Sequence, residues 1–207
     1  MRHGKDLGYA RMMRALGRRA GIRAFRFFRR SLEPEAPAAS LPGLELRVLR
    51  EPDLAEYYAR PELDLQSGKV RAAFARGDFC DGAFEGRQLV GYSWVAFSPL
   101  PHLDGVWVDF HHQGVWMYKS LVLPSHRGRG IAPALYRFTD RLCAERGRSF
   151  SITCIETHNR PSIAAIRRTG SEPAGYAGYL RRGQRLLPFS SPAAEDMSVR
   201  FYLPDGG

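Results

Sequence analysis

The chain has 207 residues, 44% of them hydrophobic, and a formal net charge of +10. This size and apolar content suit one well-buried domain with an appendage, and no apolar run approaches the roughly 20 residues that a membrane span needs. The three cysteines, Cys80, Cys143 and Cys154, lie far apart and outside any metal-ligand spacing. They predict reduced thiols in a cytosolic protein without a metal site.

The positive charge is concentrated at the start of the sequence. Residues 1–32 contain ten Lys and Arg side chains and one Asp, so they carry +9 of the net +10. The rest of the chain is nearly neutral. The high isoelectric point therefore does not predict a nucleic-acid-binding domain, and nucleic acid is the least favoured partner.

Residues 1–33 are predicted to form a basic helical extension. Apolar and basic residues recur on opposite helical faces: Tyr9, Met13, Leu16, Ala20, Ala24 and Phe27 against Arg11, Arg14, Arg18, Arg26 and Arg29. Two interpretations stay open: a helix on an anionic membrane surface or an acidic partner, and a helix docked on the domain with its arginines in water. Residues 34–43 are a Pro/Ala linker, which places the main domain at residues 44–207.

The first half of this domain is predicted to be mostly strands. The segment LELRV alternates apolar and charged residues, as a strand with one buried face does. A tight turn at Glu85-Gly86-Arg87 separates two apolar runs and predicts a β-hairpin. In chain order the predicted elements are a strand from Leu44 to Val48, helices from residue 51 and at 69–75, strands at 78–84 and 88–97, and a short strand at 106–110.

A buried strand, a polar turn and a helix follow between residues 115 and 147. Val115 to Leu123 is an apolar run, and residues 124–130 hold two glycines and two arginines. The helix is predicted to end at Gly147. Its apolar stripe is Ile131, Leu135, Phe138 and Leu142.

This turn has the composition of an anion site. The first N–H groups of a helix lack partners within the helix, and the helix dipole favours negative charge there. Gly128 and Gly130 allow an oxygen to approach the backbone, and Arg127 and Arg129 can add charge-assisted hydrogen bonds. The sequence therefore predicts phosphate binding at the start of this helix.

The remaining elements complete a mixed order of strands and helices. A helix is predicted to begin at Asn159-Arg160-Pro161 and to end at Gly170. Strands are predicted at 150–155, 174–180 and 197–203, with a polar connection at 181–196.

Two motifs in this order resemble the GNAT superfamily of acyl-CoA-dependent acyltransferases. The spacing Arg127-x-x-Gly130-x-Ala132 is similar to the family's pyrophosphate-binding signature, and ETHNRPSIAAIRRTG is similar to its later motif. The resemblance covers about residues 44–203. It implies an α/β (α+β) fold with a mixed, mostly antiparallel central sheet, splayed central strands and flanking helices.

The resemblance also implies a cofactor site. The two central strands would splay around the pantetheine arm of acetyl-CoA, with backbone N–H groups of the first strand near the thioester. Asn159 would bond the cofactor side of the cleft, and a plain helix cap explains this residue equally well. The implied positions are Leu121, Val122 and Leu123 for the pantetheine, and Arg127, Gly128, Arg129, Gly130, Ile131 and Ala132 for the pyrophosphate.

The base that the reaction needs is not marked by a motif. Direct attack of an amine on a thioester requires a neutral amine, and the central strand has no carboxylate. Glu156, at the end of the next strand, is the first candidate. Asp109, His111 and His112, just before the central strand, come next.

The acid that would protonate the leaving thiolate is also open. Many family members carry a tyrosine in the second motif for this role, and the matching position here is Ile166. Tyr176 is the first candidate to replace it, with Tyr179 as an alternative. A thiol with a pKa of about 8.5 leaves tolerably without an acid, so the role itself stays open.

The leading functional hypothesis is an acetyl-CoA-dependent N-acyltransferase that transfers the acyl group directly to a primary amine. The acceptor would be a small molecule or a peptide, and the enzyme would be cytoplasmic, with a homodimer left open. The alternative is a non-catalytic acyl-CoA-binding module, targeted by its basic arm to a membrane surface or an acidic partner. Release of CoA on addition of an amine distinguishes the two.

Overall fold

The computed structural model describes residues 21–33 and 41–204. The strands in this part of the chain are β1 (Ile22–Ser31), β2 (Leu44–Leu49), β3 (Phe79–Glu85), β4 (Gln88–Ala96), β5 (Leu100–Pro101), β6 (Trp107–Asp109), β7 (Gly114–Val122), β8 (Phe150–Glu156), β9 (Glu172–Arg182), β10 (Arg185–Ser190) and β11 (Arg200–Tyr202). The α-helices are α1 (Glu51–Leu54), α2 (Ser67–Ala75), α3 (Ile131–Glu145), α4 (Arg160–Arg167) and α5 (Pro192–Glu195). Single 3₁₀ turns lie at Ala55–Tyr57, Pro61–Leu63 and Pro124–His126.

The described residues divide into two compact units. The central unit comprises residues 30–33, 41–98 and 112–153. The terminal unit comprises residues 21–29, 99–111 and 154–204. Strands β1 and β8 each contribute residues to both units, because the divisions fall within them.

The sheet of the central unit is mostly antiparallel. Antiparallel pairing joins β2 to β3, β3 to β4 and β4 to β7. The first residues of β8 then pair with β7 in parallel. Nearly every residue of β3 and β4 is buried, so these two strands form the middle of the unit's core.

Strand β7 has two different edges. On one edge it pairs with β4 from Trp116 to Val122, and a shift of register makes Tyr118 a bulge residue. On the other edge its ladder with β8 covers three positions, from Gly114 to Trp116. Among the described residues, the second half of β7 is therefore paired with a neighbouring strand on one side only.

Helix α3 packs its apolar stripe onto the sheet of the central unit. Ile131 and Leu135 are buried together with Ala83 of β3 and Val90 of β4. These side chains lie in the first two turns of the helix, next to the polar segment 124–130 that precedes it. The apolar contact thus fixes the N-terminal end of α3 close to β3 and β4.

Two polar contacts anchor the later turns of the same helix. Thr139 donates from Oγ1 to Oδ1 of the buried Asp81 at 2.8 Å. Arg30 forms a bidentate ion pair with Asp140, with N–O distances of 2.5 and 2.7 Å. Adjacent residues of α3 therefore pair with two different segments of the central unit.

The terminal unit is built around β1 and β9. Strand β1 pairs antiparallel with β9, and β9 pairs antiparallel with β10. A second, three-stranded sheet has the order β11-β6-β5. The rings of Phe25 and Phe27 lie 5.7 and 6.5 Å from the ring of Phe201 in β11, so aromatic side chains of β1 form much of this unit's core.

The helical prediction for residues 1–33 is wrong for residues 22–31, which form strand β1. Phe25, Phe27 and Phe28 are each at most 2% exposed, and aromatic residues favour strands. Pairing with β9 and burial of three phenylalanines outweigh the helical periodicity, because helix propensity is a weak preference that tertiary packing overrides.

The rest of the predicted extension and most of the predicted linker lie outside the described residues. Residues 1–20 hold six of the ten basic residues of this segment, and residues 34–40 hold most of the Pro/Ala sequence. The hypothesis of a basic arm that contacts a membrane or an acidic partner therefore stays a prediction.

The predicted polar connection at 181–196 is wrong in part, because it contains β10 and α5. Leu187 and Phe189 in β10 are 63% and 46% exposed, so this strand lacks the buried face that normally marks a strand in sequence. Pro188 also suggested a loop. A proline is compatible with a strand at the edge of a sheet, which is where β10 lies.

The remaining predicted elements are confirmed with small changes at their ends, and so is the mixed, mostly antiparallel fold class with helices against the sheet. Within the described residues, none of the helices combines the length and apolar character needed to cross a membrane. The same residues contain no group of three or more His, Cys, Asp or Glu side chains placed to hold a metal ion.

The place of β1 in the folded core can be tested by truncating its side chains. Phe27→Ala should lower the free energy of unfolding by about 3–5 kcal/mol, because Phe27 is fully buried and leaves a cavity. Ile22→Ala, at the exposed start of the same strand, should lower it by less than about 1 kcal/mol. Denaturant unfolding followed by circular dichroism measures both, and small, equal effects would contradict a buried β1.

Candidate functional site

The predicted anion site is a turn that joins β7 to α3. Gly128 and Gly130 have φ angles of +79° and +78°, in the left-handed region that other residues rarely adopt. A Cβ at Gly128 would meet no atom within 4 Å, so the backbone angle, and not crowding, requires glycine there. At Gly130 a Cβ would lie 3.8 Å from Leu41 Cδ2, an ordinary contact, so the backbone angle requires glycine there too.

Among the residues that the structure describes, no side chain caps the N-terminus of α3. Gly130 is the N-cap residue, and its carbonyl accepts the first helical hydrogen bond, from Ala134 N at 3.1 Å. Helix geometry leaves the N–H groups of Ile131 and Ala132 without a helical partner, and Pro133 has no N–H. Two backbone donors and the positive end of the helix dipole are thus available to an anion.

The two arginines of the turn are each fixed by one contact. Arg127 donates from Nε to Val122 O at 3.1 Å, and Arg129 donates from Nη2 to Glu85 Oε1 at 2.5 Å. A guanidinium has five N–H donors, so each arginine keeps several for a ligand. Both side chains lie at the surface beside the uncapped end of α3.

Glu85 connects the turn to the β3–β4 hairpin. Its second carboxylate oxygen lies 3.1 Å from His126 Nε2, and His126 Nδ1 lies 2.8 Å from Ser125 Oγ. The Arg129 guanidinium, and then the His126 ring, hold the pKa of Glu85 below its usual value. Sequence reasoning missed Glu85 because only folding brings the hairpin to this turn.

The end of β7 directs one of the predicted pantetheine-facing N–H groups away from β4. Leu123 N already donates to Val90 O at 2.9 Å. Alternate residues of an antiparallel strand point their N–H groups to the same side, which turns Leu121 toward β4 and Val122 away from it. Of the three predicted residues, Val122 is the one with an N–H oriented to serve a ligand.

The predicted base, Glu156, lies in the terminal unit within a charged cluster. Its Oε2 is 3.2 Å from His158 Nε2, and its Oε1 is 3.9 Å from Arg23 Nη1. Arg23 in turn donates two hydrogen bonds to Asp104, at 2.7 and 3.0 Å. The Glu156 side chain is 25% exposed, so solvent reaches the carboxylate while the cluster orients it.

The predicted acid, Tyr176, lies at the surface of the terminal unit. Its side chain is 48% exposed, and its ring centre is 5.6 Å from the guanidinium carbon of Arg26. The alternative, Tyr179, is fully buried and donates its hydroxyl to Leu103 O at 3.2 Å. Burial raises the pKa of Tyr179 to about 12, which makes it a poor acid near neutral pH.

Two other predicted residues have structural partners. Asn159 accepts a hydrogen bond at Oδ1 from Ser162 N at 3.3 Å, so the helix-cap interpretation is confirmed. That cap leaves the amide nitrogen of Asn159 as the group for any cofactor contact. Asp109 is paired with Arg200 at 2.8 Å.

A buried carboxylate reaches β7 from outside that strand. Tyr118 donates its hydroxyl to Asp78 Oδ2 at 2.9 Å, and Arg76 pairs with the same oxygen. The side chain of Asp78 is fully buried, and this burial raises the pKa of its carboxyl above the usual value. The sequence placed no carboxylate on the central strand, and Asp78, 40 residues before Tyr118, belongs to no local pattern that would indicate one.

Comparison with known proteins identifies a family. The family model described as "Acetyltransferase (GNAT) family" matches residues 44–171, more than half of the chain. A search of curated proteins finds no match.

Solved structures share the fold at low sequence identity. A GCN5-related N-acetyltransferase from Sphaerobacter thermophilus is 16% identical with a TM-score of 0.51, over 85% of this chain and 55% of that one. An aminoglycoside antibiotic 6′-N-acetyltransferase from Acinetobacter baumannii is 14% identical with a TM-score of 0.50, over 72% of this chain and 98% of that one.

The left-handed backbone at Gly128 predicts that two glycine-to-alanine substitutions change the free energy of unfolding in opposite directions. Gly128→Ala should lower the free energy of unfolding by about 1 kcal/mol, because alanine is strained at φ +79°. Gly68→Ala, in the first turn of α2 with equally open space, should raise it by up to about 1 kcal/mol. Thermal or denaturant unfolding gives both values, and a stabilising Gly128→Ala would contradict the left-handed turn.

Proposed function

Because the chain belongs to the acetyltransferase (GNAT) family, we propose that it transfers an acetyl group from acetyl-CoA directly to a primary amine within one ternary complex. The observation that carries this proposal is the uncapped N-terminus of α3. It combines two left-handed glycines, two free helix N–H groups and two arginines with spare donors. This set of donors suits a diphosphate, and within residues 21–33 and 41–204 no carboxylate caps the helix end.

The residues of the turn fit acetyl-CoA by their chemistry. Ile131 and Ala132 would donate backbone N–H groups to the diphosphate, and Arg127 and Arg129 would neutralise its charge. The N–H of Val122 would serve the pantetheine or the thioester oxygen. When bound, acetyl-CoA supplies a thioester carbonyl that an amine can attack.

A small-molecule acceptor is the form of the proposal that the comparisons favour. One fold relative acts on an aminoglycoside antibiotic, which carries primary amines on a sugar scaffold. At 14% identity the likeness to that protein shows the fold alone, so it favours no particular amine. A peptide amine is the alternative outcome of an acceptor screen.

The second candidate function is an acyl-CoA-binding module without catalysis. The observation in its favour is Ile166, which stands where many family members carry a tyrosine acid and is 3% exposed. A buried aliphatic side chain can donate no proton. Such a module would bind acetyl-CoA and release no CoA with any amine.

Cofactor binding can be tested with two aspartates at opposite ends of α3. Gly130→Asp should weaken acetyl-CoA binding by about tenfold or more, because it places a negative charge beside the diphosphate. Gly147→Asp is the matched control, since Gly147 also has a positive φ and no close contact for a Cβ but follows the C-terminus of the helix. Calorimetric titration with acetyl-CoA measures both, and equal affinities of the two variants would contradict the assigned site.

Catalysis can be tested with a panel of amines. Tyramine, putrescine, a lysine-containing peptide and an aminoglycoside should differ in their rates of CoA release, measured with a thiol reagent. At least one should give release well above the rate without amine. Tight acetyl-CoA binding with no release for any amine would favour the non-catalytic module.

A further inference from the structure

We infer that Tyr118 and Asp78 form the proton acceptor of this transferase, with the phenol passing the proton of the acceptor amine to the buried carboxylate. This inference rests on the proposed acetyl transfer to an amine. Tyr118 belongs to the central strand β7, and its hydrogen bond to Asp78 connects that strand to a carboxylate of the same central unit.

The position of Tyr118 along β7 supports this role. The ladder with β8 ends at Trp116, two residues before it, and Tyr118 is the bulge residue of the ladder with β4. The second half of β7, which is paired on one side only, ends at Val122. Tyr118 thus lies at the start of this half. Bulges redirect a side chain relative to regular alternation, and they are frequent beside active sites.

Open space next to Tyr118 already suits an ammonium group. Tyr118 borders a cavity of about 90 Å³ that Trp94, Asp64 and Lys119 also line. The Nζ of Lys119 lies 2.9 Å from Asp64 Oδ2 and 5.7 Å from the ring centre of Tyr92. Asp64 and these aromatic faces already hold the Lys119 ammonium, so the surroundings of the cavity accommodate an amine, while Lys119 and Lys69 offset the charge of Asp64.

Asp78 has the features of a proton acceptor reached through its neighbour. Its Oδ2 is bonded to Tyr118 and Arg76, whereas its Oδ1 is buried and has no partner among the described residues. Burial raises the pKa of the carboxyl, although Arg76 and then Tyr118 oppose the shift. Other titratable groups near this pair are the buried Cys80 thiol, which adds to the raised pKa of Tyr118, and Asp64, Lys69 and Lys119 around the cavity. A carboxylate with a raised pKa is better matched to a proton transfer near neutral pH.

The proton moves in two linked transfers, from the ammonium to Tyr118 and from Tyr118 to Asp78. An N–H bond of the ammonium breaks, and its proton bonds to the Tyr118 oxygen while the original phenol proton bonds to Asp78 Oδ2. The electron pair left on nitrogen forms the new C–N bond, and the C–S bond breaks to release thiolate. The nitrogen then loses a second proton to the thiolate, which leaves the neutral amide and the thiol of CoA. Asp78 returns the first proton through Tyr118 to water.

The test compares Tyr118→Phe with Tyr58→Phe. Tyr118→Phe should lower kcat about 100-fold with the fastest amine of the panel, because it removes the relay, and should leave acetyl-CoA affinity unchanged. Tyr58→Phe removes a buried hydroxyl of the same unit that has no hydrogen-bond partner among the described residues, and it should leave kcat unchanged. Asp78→Asn should reproduce the loss, and Tyr118→Phe remains decisive if Asp78→Asn does not fold.

The pH dependence separates a relay from a merely structural contact. Activity of the unsubstituted protein should fall as pH drops through the raised pKa of Asp78, because the protonated carboxyl accepts no proton. This acid limb should disappear in Tyr118→Phe. A full rate and an unchanged profile in Tyr118→Phe would overturn the relay, and so would a loss of the limb in Glu156→Gln, which would assign the base to Glu156. Absence of CoA release by the unsubstituted protein would overturn the proposed function as well.

Discussion

The unequal pairing of β7 is the constraint on which the site depends. The strand is bonded to β4 from Trp116 to Val122 but to β8 for only three residues. A fully paired β7 would have no backbone donor to spare, since every N–H on both edges would be part of a ladder. Because the ladder with β8 ends at Trp116, the N–H of Val122 has no partner strand among the described residues. The ladder with β4 holds the backbone of β7 as far as Val122. The turn with Gly128 and Gly130 begins where that single-sided half ends.

The location of the turn depends in addition on how α3 is held. Two consecutive residues of the helix, Thr139 and Asp140, pair with Asp81 and Arg30. Burial raises the pKa of the Asp81 carboxyl and of the Asp140 carboxyl, because a buried charge is costly. Breaking a buried pair by removing one partner typically costs about 3–5 kcal/mol, so a helix shifted along its axis would be strongly disfavoured. These contacts therefore help to fix the position of the N-terminus of α3, where the anion site is predicted.

What the sequence predicts well is contiguous in the chain. The strand, the turn and the helix around the predicted anion site all lie between residues 114 and 145, and their signals are local glycines, arginines and apolar periodicity. The contacts of Glu85 with Arg129 and of Asp78 with Tyr118 join segments about 40 residues apart, and no spacing rule links them. The periodicity of residues 22–31 predicts a helix in place of strand β1 because a pattern within one segment carries no information about pairing with a distant one, here β9. Strand β10 has no such signal because most of its side chains are exposed.

The pairing of β1 with β9 also governs the order in which the chain can fold as it is synthesised. Residues 22–31 leave the ribosome well before their partner strand at residues 172–182 is made. Until then, the phenylalanines of β1 have no β9 to cover their backbone edge, and such unpaired apolar strands are prone to aggregate. Arg23, Arg26 and Arg29 are interleaved with those phenylalanines, and charged residues of this kind oppose strand association between chains. Arginines placed between the phenylalanines of β1 thus suit a strand that is made before its partner.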